Sequence, residues 1–184
     1  VANLAGNGTS PGAVYLLDLG PRTLRGKLTE PSPSPSSLFG VAVALDGDRV
    51  VVGAPAPGSA GRAYVFDAES GSLLHTLVPS DSATGDGFGS AVGISTGRIA
   101  VGAPSHGSGD DRTGAVFLFD AISGAELGRV RPPRAPASAA FGAALALDGT
   151  RLAVGAPGDL SRGDVRSGAL YVIDAAKRRV RRKV

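Results

Sequence analysis

Apolar residues in this chain gather in short runs separated by Gly, Pro, Asp and Ser. Residues 39–55, FGVAVALDGDRVVVGAP, hold two such runs, broken at Leu45-Asp46-Gly47-Asp48. Runs this short, rich in β-branched residues and bounded by turn formers, read as strands, and no stretch carries a convincing helical period. Asp46-Gly47 fits a tight hairpin turn, since Gly readily takes positive φ. The pattern returns as FGSAVGISTGRIAVGAP from Phe88 and as FGAALALDGTRLAVGAP from Phe141.

The recurrence is regular. Phe-Gly stands at Phe39-Gly40, Phe88-Gly89 and Phe141-Gly142, and Gly-Ala-Pro at Gly53-Ala54-Pro55, Gly102-Ala103-Pro104 and Gly155-Ala156-Pro157. Both landmarks advance by 49 and then 53 residues. A third phrase reads GRAYVFDA from Gly61, GAVFLFDA from Gly114 and GALYVIDA from Gly168, and it opens the chain as GAVYLLDL from Gly12. A fourth follows as SGSLLHTL, SGAELGRV and, more weakly, AKRRVRRKV.

Each unit thus has four strand-like pieces, in the first unit 40–45, 49–53, 63–67 and 73–78. Four antiparallel strands in a unit of this length make the blade of a β-propeller. The predicted fold is all-β, a propeller of four-stranded antiparallel blades with about three and a half in this chain. Residues 1–30 form a partial blade, followed by blades at 31–79, 80–131 and 132–184. A β-sandwich is the alternative, but it needs no repeating sequence. In the propeller the small-residue strand VAVAL lies innermost. Pro ends the next strand because it has no N–H to give a ladder. Phe39, Phe88 and Phe141 become wedges between blades.

These phrases resemble the FG-GAP repeat family, the blade unit of integrin α-subunit propellers and of many bacterial and algal extracellular proteins. The resemblance implies a platform for adhesion or ligand binding, outside the cell or on its surface, commonly with seven blades. About three and a half blades cannot close a ring. The chain is then a section of a larger ring, or two copies form a homodimer that completes one. The section is favoured, because the last unit already has four strands. Many family members cage calcium in the first hairpin. Calcium needs six to eight oxygens, whereas LDGDRV, STGRI and LDGTRL offer few carboxylates and little length. The resemblance is therefore to a calcium-free subgroup, and no cofactor is expected.

Composition narrows the functional classes. Without Cys there is no disulfide and no thiolate metal site. The chain lacks Met even at position 1, which reads as a mature product or a section, with any signal peptide outside it. No apolar run approaches the ~20 residues of a membrane helix, so no membrane insertion is expected. The net charge of +3 is lopsided: KRRVRRKV at the end holds six of the 19 basic residues, and the other 13 are outnumbered by 16 acidic ones. This tail reads as a charge-guarded edge strand or a contact for an acidic neighbour. No aromatics interleave with it, so nucleic acid is not expected.

Candidate chemistry is sparse. The two histidines are His75, on an outer strand, and His106, in SHGSGDD with Asp110 and Asp111. A Gly-rich loop holds a catalytic triad poorly, so His106 is expected in a solvated loop. Asp81, Asp86, Asp110, Asp111, Asp159 and Asp164 are loop acids that could touch a cation weakly and are expected to be ordinary loop residues. Asp18, Asp67, Asp120 and Asp174 recur at one position of every unit, which points to a turn cap. The Ser-Pro run at Pro31, Pro33 and Pro35 resembles segments open to proline hydroxylation and O-glycosylation. The leading function is a non-catalytic scaffold for protein–protein, adhesion or assembly contacts with other chains or the remaining blades. The alternative is a carbohydrate-binding propeller. It is weakened by the absence of Trp and by the placing of Tyr15, Tyr64 and Tyr171 within strands. An enzyme is disfavoured, because the inner strands carry small apolar residues.

Overall fold

The computed structural model describes residues 2–4, 12–34, 36–108, 112–162 and 165–184. Strands β1 (Ala2–Leu4), β2 (Ala13–Asp18) and β3 (Thr23–Thr29) form a three-stranded sheet. Strands β4 (Ala42–Asp46), β5 (Arg49–Ala54), β6 (Arg62–Asp67) and β7 (Leu73–Leu77) form the first four-stranded sheet. The second comprises β8 (Ala91–Ser95), β9 (Arg98–Ala103), β10 (Ala115–Asp120) and β11 (Glu126–Val130). In the third, β12 (Ala144–Asp148) and β13 (Arg151–Ala156) lead through the small hairpin β14 (Leu160–Arg162) and β15 (Val165–Arg166) to β16 (Ala169–Asp174) and β17 (Arg179–Lys183). Every four-stranded sheet is an antiparallel meander, and no sheet closes on itself. The fold is all-β, built as propeller blades.

Two of the three first hairpins differ from expectation by one residue. Asp46 pairs with Arg49 and Asp148 with Arg151, so the two-residue loops are Gly47-Asp48 and Gly149-Thr150, and Asp closes the ladder. Positive φ falls on Gly47 and Gly149 alone, as in a type II′ turn. The loop Thr96-Gly97 has positive φ at both residues, as in type I′. Both turn types match the right-handed twist of the flanking strands. The second strand of each four-stranded sheet stops at Ala54, Ala103 or Ala156, one residue before the Pro. Between the third and outer strands every sheet has a register shift, at Val65/Phe66, Leu118/Phe119 and Val172/Ile173, and in the three-stranded sheet at Leu16/Leu17. Such bulges increase local twist and swing the outer strand away from the blade plane.

The core lies between the sheets. One cluster joins Val14, Leu16 and Leu28 to Phe39, Val50, Val52, Tyr64 and Phe66. A second joins Val51 and Val65 to Phe88, Ile99, Val101, Phe117 and Phe119. A third joins Ala100, Val116 and Leu118 to Phe141, Leu152, Val154, Tyr171 and Ile173. A middle blade is covered on both faces, which is why VVVGA and AVFLF read as unbroken apolar runs. Each Phe packs edge-on against the third strand of its own sheet, with centroids 5.7 Å apart for Phe88 and Phe117 and 5.3 Å for Phe141 and Tyr171. The preceding sheet then covers it.

Backbone meets backbone at these joints. A β-carbon on Gly53 would run into the carbonyl oxygen of Gly89, and one on Gly102 into that of Gly142. Likewise Gly12, Gly61 and Gly114 face the carbonyls of Phe39, Phe88 and Phe141. Gly40, Gly89 and Gly142 turn the corner with φ near 90° (89°, 96° and 95°). The opposing carbonyls belong to backbone and cannot swing aside. Gly102→Ala is therefore expected to lower unfolding stability by ~3 kcal/mol or more. Gly155→Ala, whose β-carbon would meet only Ala144, should stay within ~1 kcal/mol of the parent. Urea denaturation of both variants checks the contrast.

Candidate functional site

The last blade repeats the docking surface of the others but leaves it open. Gly155 and Gly168 occupy the places of Gly53/Gly102 and Gly61/Gly114, and no Phe-Gly corner faces them. Side chains on that face follow suit. Leu170 is 44% exposed where Ala63 and Val116 are at 0%, and Val184 is 60% exposed where Leu77 and Val130 are at 1% and 4%. Ala143, Ala144, Gly155, Ala156, Gly168 and Leu170 line a groove of about 440 Å³ here. The hairpin tips show the same break. Thr96 N–H donates to Asp46 Oδ2 at 2.8 Å, and Gly149 N–H donates to Ser95 Oγ at 2.9 Å, so each tip accepts from the next. Asp148, next in that series, accepts from no following tip among the described residues.

A second set of polar groups lies beside the third-strand aromatic of each blade. Tyr64 Oη donates to the buried Glu30 Oε1 at 2.8 Å. Tyr171 Oη donates to Asp159, which is 0% exposed and also takes Lys183 Nζ at 2.9 Å. In the middle blade the aromatic is Phe117, which has no hydroxyl. There His106 stacks edge-on upon it at 5.1 Å, with Nδ1 2.9 Å from Asp86 Oδ2. Asp86 Oδ2 also accepts from Ala83 N–H at 2.8 Å, while Asp86 Oδ1 and His106 Nε2 have no hydrogen-bond partner among the described residues. His106 Nε2 lies 3.7 Å from Asp81, which is paired with Arg129.

This overturns the expectation that His106, Asp86 and Asp159 are ordinary solvated loop residues. All three are buried, because each loop folds back over an aromatic ring of the blade, where Asp86 and His106 hydrogen-bond to each other and Asp159 meets Lys183. His75 is not simply a surface residue either: its Nε2 lies 2.8 Å from Ile122 O and ties two blades together. Of this arrangement only the strand-three aromatic recurs in the sequence; its polar partners stand at different places, Glu30 and Asp86 before Phe-Gly, His106 and Asp159 after Gly-Ala-Pro. Asp110, Asp111, Asp164 and Pro35 lie outside the described residues, while Pro31 and Pro33 are exposed. Among the described residues no group of three His, Asp or Glu is placed to hold a metal ion.

Three of the four recurring aspartates, Asp67, Asp120 and Asp174, cap turns. Asp67 Oδ1 accepts from Ser70 N–H and Oγ–H, both at 2.8 Å, and Asp120 does the same with Ser123. These bonds hold both carboxyls below the ordinary range. Asp174 is lowered chiefly by Arg181, with Lys177 N–H at 3.0 Å.

Stacked four-stranded meanders joined by Phe-Gly corners define a β-propeller of the Phe-Gly/Gly-Ala-Pro kind. The family model for the FG-GAP repeat matches residues 23–66, 72–119 and 129–173, more than half of the chain, and the chain belongs to that family. Each match begins in or one residue before the outer strand of one sheet and ends in the third strand of the next, so the sequence repeat is offset from the blade. Among solved structures, the crystal structure of the computationally designed Ika8 protein is similar, with 20% identity and a TM-score of 0.58. The likeness covers 97% of this chain and 43% of that one, and it shows the fold. No curated protein matches.

Two outcomes follow from the buried tyrosines. Tyr171→Phe strips Asp159 of its hydroxyl donor and should cost ~1–3 kcal/mol in chemical denaturation. Tyr64 is pushed up to about 12 from 10.0, first by burial and then by Glu30. Its neutral form is the one the fold favours, so this stabilisation is complete below pH 10 and is lost as pH rises from 10.0 through about 12. Phenolate absorbance followed alongside circular dichroism should show Tyr64 ionising late and together with unfolding. Tyr64→Phe should remove that step.

Proposed function

We propose that this chain is a section of a non-catalytic FG-GAP propeller scaffold, and that its open face receives the Phe-Gly corner of a further FG-GAP blade. The observation that carries this is the used socket repeated along the chain beside an unused one of the same shape at Gly155 and Gly168. A second copy of the chain has no spare corner to offer among the described residues, since Phe39, Phe88 and Phe141 are each docked on their own preceding sheet. That favours a further blade over a ring closed by a homodimer. Contacts with other proteins then fall to the loops and outer strands. The family's usual setting and the exposed Pro31 and Pro33 support an extracellular or cell-surface place, with the Ser-Pro segment as a hydroxylation or glycosylation target. A carbohydrate reading is disfavoured, because Tyr64 and Tyr171 are buried and engaged with acids.

The test extends the array. Val184 stands where Val130 stands one blade earlier, so a second copy of residues 131–184 appended after Val184 continues the repeat in register. The appended blade should dock, raise the urea midpoint and cover Leu170. Gly155→Val should remove this gain in the extended protein while changing the parent little. An extension that gains nothing, or a parent that is a stable dimer split by Gly155→Val, overturns the reading.

A further inference from the structure

The outer strand β17 departs from the other outer strands in a way the repeat does not require. Strands β7 and β11 read LLHTL and ELGRV, whereas β17 reads RVRRK, preceded by Lys177 and Arg178. A scaffold role would recur from blade to blade, and this charge does not. Part of it is used inward: Arg181 pairs with Asp174, Lys183 with Asp159, and Arg178 donates to Leu127 O on the neighbouring blade. Arg179 and Arg182 are exposed and have no ion-pair partner among the described residues, and neither has Arg131 across the joint. Between the two blades Arg129, Arg131, Pro133, Arg178, Arg179 and Val180 line a groove of about 340 Å³. Two of its guanidinium groups are already fixed, Arg129 by Asp81 and Arg178 by Leu127 O.

The backbone of β17 is also available. Among the described residues it pairs with β16 on one side only, so its other edge presents N–H and C=O groups with no ladder partner there. Charged side chains on such an edge repel neutral or basic strands, which must desolvate them without compensation. A strand carrying carboxylates meets the opposite situation: the same arginines become two-pronged partners for it. We infer that the outer edge of β17, together with the arginine groove beside it, binds an acidic segment of another polypeptide in extended conformation, added to the sheet as a fifth strand. This site lies on the outer rim and is independent of blade docking at Gly155.

The inference is tested on the intact chain with a fluorescein-labelled decapeptide of alternating Glu and Val, read by fluorescence polarisation. Three controls are a Gln-for-Glu version, a version N-methylated at alternate amides, and heparin. The acidic peptide should bind, and binding should weaken as salt rises. The Gln and N-methylated versions should each bind at least about tenfold more weakly. Arg179→Glu combined with Arg131→Glu should cost a similar factor, and Arg182→Glu alone should cost less. These residues are exposed, so circular dichroism of the variants should match the parent. Equal binding of the N-methylated peptide would remove the strand-addition idea. Tight heparin binding with none by the acidic peptide would assign the rim to sulfated glycans and overturn the inference.

Discussion

The structure depends on backbone atoms of successive sheets touching with nothing between them. Where Gly53 meets Gly89 and Gly102 meets Gly142, the distance leaves no room for a single carbon. That contact sets how closely two blades approach at the corner. It also decides that the inner strands must carry small residues, and β8 is wedged between β4 and β12 accordingly. Once the corner is fixed, the Phe beside it is placed in the inter-sheet layer. Burying one such ring contributes ~1.5–3 kcal/mol. The apolar clusters are therefore a consequence of the joint as much as a cause of it. A blade alone would leave one such face bare, and stability must come from neighbours.

The polar groups near the third strand follow a rule of compensation. The fold places a large aromatic at positions 64, 117 and 171 and drapes a loop over it. At Tyr64 and Tyr171 the ring hydroxyl donates a hydrogen bond to an acid. Where it is Phe, His106 covers the ring and brings Asp86 with it. The partners come from different sequence positions: Glu30 precedes its blade's corner, Asp86 sits just before Phe88, and Asp159 follows Gly-Ala-Pro. What recurs around the ring is a buried acid supplied from a different place each time, not a fixed residue. Buried acids of this kind favour one loop conformation, since any other strands a charge away from water.

Much of this was legible in the sequence. The spacing of Phe-Gly and Gly-Ala-Pro marked the blades, the Pro marked strand ends, and recurrence identified Asp67, Asp120 and Asp174 as caps. The Asp-Gly hairpins sit one residue away from the expected loop, because Asp-Gly fits both as the loop pair and as a closing residue followed by Gly. Only the register distinguishes them, and register depends on which face is buried. The burial of His106, Asp86 and Asp159 was invisible for a different reason. Sequence shows a polar loop, but not that the loop turns back across a ring some residues away. The joint between blades is long-range in the same sense: Gly155 looks identical to Gly102 along the chain, and only the folded neighbour tells them apart.

That last distinction separates two kinds of information in a repeat protein. Positions that recur report on the scaffold, and the same residue does the same work in every unit. Function is to be sought where a unit departs from its siblings. Two departures occur in the last blade: a docking face that no described residue covers, and an outer strand that carries more charge than the fold engages. They have different physical characters. The face is apolar, small and shaped by backbone, so it selects a partner by fit and tolerates salt. The rim is exposed and cationic, so it selects by charge and gives way as ionic strength rises. A partner bound at one need not disturb the other, because the apolar layer of the last blade lies between them. A scaffold built this way can extend along its array and recruit at its edge as two separate events.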